Sequence, residues 1–252
     1  FMTHEGQYDN MNAFFRTNGY DEVFSQENYP ADKVVNSFGV QDDFLYDYAI
    51  PVLNQRAATG QPFFATLLSI SNHPPYVIPP FFHPKTSEPE TQIVEYADWA
   101  LRQFFEEARK QPWFDNTIFV LEGDHGKLVG DAECELPESY NHIPLMIYSS
   151  RIQPEEKTTF GGQVDIQPTI LGLLNIDYLQ NNFGVDLLKE ERPCMFYTAD
   201  NMVVGRNDTL LYLYNYETQQ ELTYDIGNGK LNAVPMDDSF LPLKEYSFSM
   251  LQ

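Results

Sequence analysis

The stretch Phe119-Val-Leu-Glu-Gly-Asp-His-Gly126 sets an Asp and a His side by side where an apolar run stops. An apolar run over residues 117–121 suits a buried parallel strand, and ligand-binding groups of α/β sheets gather where such strands end. Asp124 and His125 are therefore expected at the carboxyl edge of a sheet. Gly123 and Gly126 bracket them and permit a sharp exit with close backbone approach. A carboxylate beside an imidazole has two chemistries open to it: the two can hold a divalent metal together, or the Asp can merely orient the His within a turn.

Other histidines stand at comparable places. His73, in Ser71-Asn-His-Pro-Pro-Tyr76, follows the apolar residues 61–70, and Pro74 biases it away from helical geometry. His142 stands at the entrance of a further apolar run, 139–148, where a hydrogen-bonded structural role is common. His4 belongs to the loop before the first helix, and His83, in a Pro-rich loop over 79–89, receives no role. Asp165 opens a loop-to-helix transition and reads as a cap rather than a ligand. Cys134 and Cys194 fit neither a zinc framework nor a disulfide-dense scaffold, and one bridge or two separate thiols are both open.

These groups need elements to hold them. Tyr8, Met11, Phe14 and Phe15 recur at helical spacing, with Gly19 as the stop. Residues 42–54 predict a second helix with Asp42 and Asp43 at its N-terminal end. Residues 91–111 predict a long amphipathic helix, its apolar side made by Ile93, Val94, Ala97, Leu101, Phe104, Phe105 and Ala108. A strand over 61–70, this helix and the strand ending at Asp124 have the length of a right-handed strand–helix–strand crossover. Residues 162–171 lead into a helix that tolerates Pro168 in its first turn. From Cys194 onward, short alternating runs at 195–199, 202–205, 209–216 and 221–225 predict a small antiparallel sheet.

A chain of 252 residues with 42% hydrophobic and 15% aromatic residues can bury a large core. It is expected to form one domain over 1–252, with an α/β core at 1–190 and the antiparallel region at 191–252. The formal charge of −22 opposes non-specific attraction to nucleic acid and to anionic lipid surfaces. An anionic substrate would then need a local metal, or His and Arg groups, to overcome that field. No apolar stretch reaches the length of a membrane span. The start at Phe1, without an initiator Met or leader, reads as a piece of a longer chain.

Taken together, "HEGQYDNMNAFFRTNGY", "FFATLLSISNHPPY", "WFDNTIFVLEGDHG", "HIPLMIY" and "GQVDIQPTIL" followed by "FGVDLL" resemble the lipoteichoic acid synthase-like branch of the sulfatase and alkaline phosphatase superfamily. The segments keep the family's order and cover most of residues 1–190. The resemblance implies an α/β sandwich with a mostly parallel central sheet and a small C-terminal antiparallel sheet. It also implies one divalent metal, Mn2+ ahead of Mg2+ or Zn2+, with Asp124 and His125 as ligands. His73 and His4 are implied as contacts to the substrate phosphate, and His142 as a residue lining the pocket.

Two departures matter. The tryptophan and arginine of the synthase substrate pocket have no counterpart near residues 9–11, which leaves glycerol-phosphate specificity open. Family members carry a Thr nucleophile and a further acidic ligand on an N-terminal portion not matched here, so this fragment is expected to be inactive alone. The implied substrate is an anionic lipid head group or a phosphate or sulfate ester. The implied setting is extracytoplasmic, on a membrane-anchored parent. Three functions follow as expectations: phospho-head-group transfer or phosphodiester cleavage, sulfate-ester hydrolysis, and a non-catalytic binding domain.

Overall fold

The helical spacing of Met11, Phe14 and Phe15 becomes α1 (Met11–Thr17), and Gly19 follows it at a φ of 96°, a left-handed conformation that suits glycine beyond a helix end. The computed structural model describes residues 1–3, 8–128 and 130–251. These form two compact units, Phe1–Phe119 with Tyr148–Ile152, and Val120–Ile147 with Gln153–Gln252.

In the first unit a short hairpin, β1 (Val34–Asn36) and β2 (Gly39–Val40), runs directly into α2 (Asp42–Ala57). The buried positions of α2 are Asp42, Leu45, Ala49 and Leu53, spaced three or four apart, so one stripe faces inward. This stripe packs against α3 (Pro89–Ala108), which opens with Pro at its first position. The buried stripe of α3 is Ile93, Tyr96, Ala100, Phe104 and Ala108. Val94, expected on the apolar side, is exposed, because the stripe turns one position away from it.

Residues 61–70 are extended but form no continuous strand. Among the described residues their ladder pairing is one parallel bridge between Leu67 and Met2, with Met2 N–H donating to Thr66 O and Leu68 N–H to Met2 O, both at 2.9 Å. Met2 bridges Phe24 in parallel on its other side. The apolar strand before Asp124 forms as β3 (Phe119–Glu122) and pairs with β4 (Leu145–Tyr148). Hence the predicted crossover is not closed by pairing of its two ends, and the described residues show short ladders rather than a mostly parallel sheet. β4 is also shorter than the apolar run suggests. Pro144 has no N–H to give a ladder, and Glu138–Tyr140 take a 3-10 turn.

In the second unit α4 (Ile166–Leu173) contains Pro168 near its start, as its sequence suggests. The antiparallel sheet forms from β5 (Met195–Ala199), β6 (Met202–Arg206), β7 (Leu210–Asn215), β8 (Gln220–Asp225) and the short β9 (Asn232–Ala233), in that order. Asp200 and Asn201, both at positive φ, make the tight turn between β5 and β6. A final helix, α5 (Leu241–Met250), covers β6 so closely that a Cβ on Gly205 would stand 2.4 Å from Ser247 Oγ. Cys134 and Cys194 are free thiols, which resolves the open choice against a bridge.

Candidate functional site

Where β3 ends, the chain turns through Gly123, Asp124, His125 and Gly126. The Asp124 carboxylate accepts the N–H of His125 at 2.9 Å, and His125 Nδ1 lies 2.7 Å from the Gly126 carbonyl. A nitrogen beside a carbonyl carries the proton, so Nε2 is left with its lone pair outward. That Nε2 stands 3.8 Å from Asp124 Oδ2, with both side chains 70% exposed. Two donors each about 2.1 Å from a shared octahedral or tetrahedral ion stand about 3.0–3.4 Å apart, so a small rotation of either exposed side chain brings both to one ion. The pair therefore fits a divalent metal by donor type, spacing and free lone pairs. Among the described residues no group of three or more His, Cys, Asp or Glu is gathered to complete such a site.

The loop is braced from its own unit. Gly126 N–H donates to Tyr140 O at 2.8 Å and Lys127 N–H to Ser139 O at 2.9 Å. The approach is tight enough that a Cβ at position 126 would lie 2.0 Å from Ser139 O, so glycine is required there for space. Gln163, before α4, donates from Nε2 to the Asp124 carbonyl at 2.8 Å and the Gly123 carbonyl at 3.3 Å. The Glu138 carboxylate pairs with Arg206, whose guanidinium lies 5.6 Å from the centre of the Phe160 ring. The Glu122 carboxyl is held above the usual carboxylate range, first by partial burial and then by the charge of Asp124. A cation at this loop would relieve that repulsion.

His142 is exposed and lies three residues before β4 rather than at its start, with its N–H donating to Glu138 O at 2.8 Å. Asp165 is fully buried and is a cap, as expected, but it is more than that. It accepts from Gly162 N–H at 2.9 Å and Val185 N–H at 2.8 Å, and forms a two-pronged ion pair with the buried Arg192. No sequence pattern joins residues 165 and 192.

In the first unit, His73 is exposed on a turn closed by its N–H to Ile70 O at 2.9 Å, and its Nδ1 lies 2.7 Å from Pro74 O. Its Nε2 is the free nitrogen. His4 lies outside the described residues.

The sequence from residue 2 to 176 matches the family model described as Sulfatase. The chain is 28% identical over 247 residues to lipoteichoic acid synthase 1 of Bacillus subtilis (strain 168), covering 89% of this chain and 37% of that protein. It is 26% identical over 208 residues to the lipoteichoic acid synthase of Staphylococcus saprophyticus, covering 72% and 31%. The chain thus spans about a third of the length of these relatives. Its fold is similar to that of an alkaline phosphatase superfamily protein from Vibrio parahaemolyticus, with a TM-score of 0.86 at 28% identity over 99% of this chain and 63% of the other. It is similar also to the lipoteichoic acid synthase LtaP from Listeria monocytogenes, with a TM-score of 0.80 at 22% identity over 99% and 67%. An alkaline phosphatase/sulfatase-like fold and a match across well over half of its length establish that the chain belongs to the Sulfatase family.

Proposed function

We propose that this chain carries metal-binding and phosphate-contacting residues of a phosphoglycerol-type transferase or phosphodiesterase that acts on anionic lipid head groups or related phosphate esters. The observation that carries the reading is the Asp124–His125 pair, with two outward donors 3.8 Å apart, in a chain similar to lipoteichoic acid synthases. A divalent cation, Mn2+ in our reading, would lower the pKa of a hydroxyl nucleophile and neutralise charge on the transferring phosphoryl group. Asp124 and His125 would hold it, and the Gly126 carbonyl fixes the His125 tautomer that leaves Nε2 free. Two donors fall short of the four to six that such ions take, so the remaining ligands belong to other residues. We assign the nucleophile and a further acidic ligand to the part of the relatives' domain that precedes the matched segments.

With Nδ1–H given to Pro74 O, His73 donates from Nε2 to a phosphoryl oxygen as the imidazolium, whose positive charge stabilises the negative charge that builds up in the transition state. We assign His4 a similar contact, and His142 a hydrogen bond to substrate or to the pocket wall. The setting we propose is extracytoplasmic, on a membrane-anchored parent. Among the described residues no helix is long and apolar enough to cross a membrane.

The test uses the protein at its full natural length with Mn2+, bis(p-nitrophenyl) phosphate and p-nitrophenyl sulfate. His73→Ala is expected to lower kcat/KM for the phosphodiester by roughly 10²-fold with the melting temperature held. Asp124→Ala is expected to lose stoichiometric Mn2+. Preference for the sulfate ester, or retention of the metal when both Asp124 and His125 are replaced by Ala, would overturn the reading.

A further inference from the structure

The turn that carries His73 is met at two points by residues from the segment that runs from β1 into α2, and neither residue has a part in the function proposed above. Phe38 sits in the connection between β1 and β2, its N–H held by Asn36 Oδ1 at 2.8 Å. Its ring lies against the His73 imidazole, with centroids 4.2 Å apart and planes inclined by 43°. Four residues later Asp42 begins α2 with its side chain buried, 2% exposed. One carboxylate oxygen, Oδ1, accepts the N–H of Ile70 at 3.1 Å and of Ser71 at 2.9 Å. The N–H of Asp42 donates to Ser71 Oγ at 3.0 Å, and that hydroxyl donates to Gln41 Oε1 at 2.9 Å. Ile70 and Ser71 are the first two residues of the turn that His73 closes.

Exposed side chains on turns ordinarily sample several rotamers, and fixing one costs entropy. Here the two contacts divide the task. A buried carboxylate that satisfies two backbone N–H groups holds the main chain, since losing it would leave both donors unpaired in the interior. An aromatic face against the imidazole restricts rotation of the ring. Burial pushes the Asp42 carboxyl above its ordinary range, against the lowering by its bonds to Ser71 and Ile70. The N–H bonds survive protonation, because a single oxygen receives both.

We propose that Phe38 and Asp42 are positioning residues for His73: Asp42 fixes the backbone of the turn and Phe38 the plane of the imidazole, so that Nε2 is presented to a phosphoryl oxygen. This rests on the assignment of His73 as a phosphate contact. Neither residue touches substrate in this account, and both act through the histidine.

Two measurements test it. The first is the NMR signal of the His73 ring protons in this chain, compared among wild type, Phe38→Tyr and Phe38→Leu. The ring current of residue 38 should be seen in wild type and Phe38→Tyr and lost in Phe38→Leu. Unchanged His73 signals in Phe38→Leu would end the proposal. The second is kcat/KM for bis(p-nitrophenyl) phosphate with Mn2+ in the full-length protein. Phe38→Leu is expected to lose about 10-fold and Asp42→Ala about 10²-fold, while Asp42→Asn, which keeps Oδ1, is largely rescued. Full activity in Phe38→Leu, in a protein where His73→Ala is impaired, overturns the positioning role. An unimpaired His73→Ala overturns instead the assignment of His73 to the phosphate, and the NMR comparison still decides whether Phe38 sets its ring.

Discussion

An imidazole serves a metal or a phosphate through the nitrogen its neighbours leave free, and at both His125 and His73 a backbone carbonyl occupies Nδ1. The thiols show the opposite case, in which surroundings remove reactivity. Cys194 is buried, and burial pushes its thiol up from the ordinary 9.0 to about 11, with the Arg192 charge too weak to reverse it. At pH 8 that leaves roughly one thiolate in a thousand. Iodoacetamide at pH 8 should therefore spare Cys194 in the folded protein and label it once urea unfolds the chain. Rapid native labelling, located by mass spectrometry, would contradict this. The sign for stability follows: the folded state holds the proton more tightly, so the contribution is full below about pH 9 and is lost as pH rises towards 11.

Among the elements, the start of α4 shows how a local cap becomes a long-range tie. Asp165 satisfies Gly162 and Val185 backbone groups, while Arg192 adds Tyr246 Oη at 2.7 Å from its other side. The pair is fully desolvated, with side-chain exposures of 2% and 0%. Removing one partner of such a pair leaves an uncompensated buried charge, which costs about 3–5 kcal/mol. Arg192→Ala should lower the free energy of unfolding in urea by that amount. A loss below about 1 kcal/mol would show that the pair contributes no more than an exposed one. Gln163 lies in the turn that this tie anchors, so the support reaches the carbonyls beside Asp124.

Across these 252 residues the dominant quantity is the charge of −22. A field of that sign repels an anionic phosphodiester until salt screens it, with a Debye length falling from about 30 Å at 0.01 M to about 8 Å at 0.15 M ionic strength. With saturating Mn2+, KM for bis(p-nitrophenyl) phosphate in the full-length protein should fall as NaCl rises over that range. A KM that rises instead would mean that local positive groups outweigh the global field.

Much of this was legible in one dimension. The 3.6-residue spacing of apolar groups marks α3, the acidic pair Asp42–Asp43 marks the start of α2, a short run between turn residues gives β5, and the apolar run with its glycines places Asp124 and His125 just after β3. Such patterns are local, because each element's own backbone geometry decides which of its residues share a face. Residues 61–70 show the limit: an apolar run promises a strand only if a neighbour takes up its hydrogen bonds, and among the described residues Met2 takes up one bridge's worth. The α5 sequence, with little apolar periodicity, gives no sign that it will cover β6. The tie of Asp165 to Arg192, the clamp of Asp42 on Ser71 and the tilted contact of Phe38 with His73 join residues 27 to 35 positions apart. Only the tertiary structure decides these, because burial and pairing belong to where distant segments meet, and a chain's local pattern carries no record of its partner.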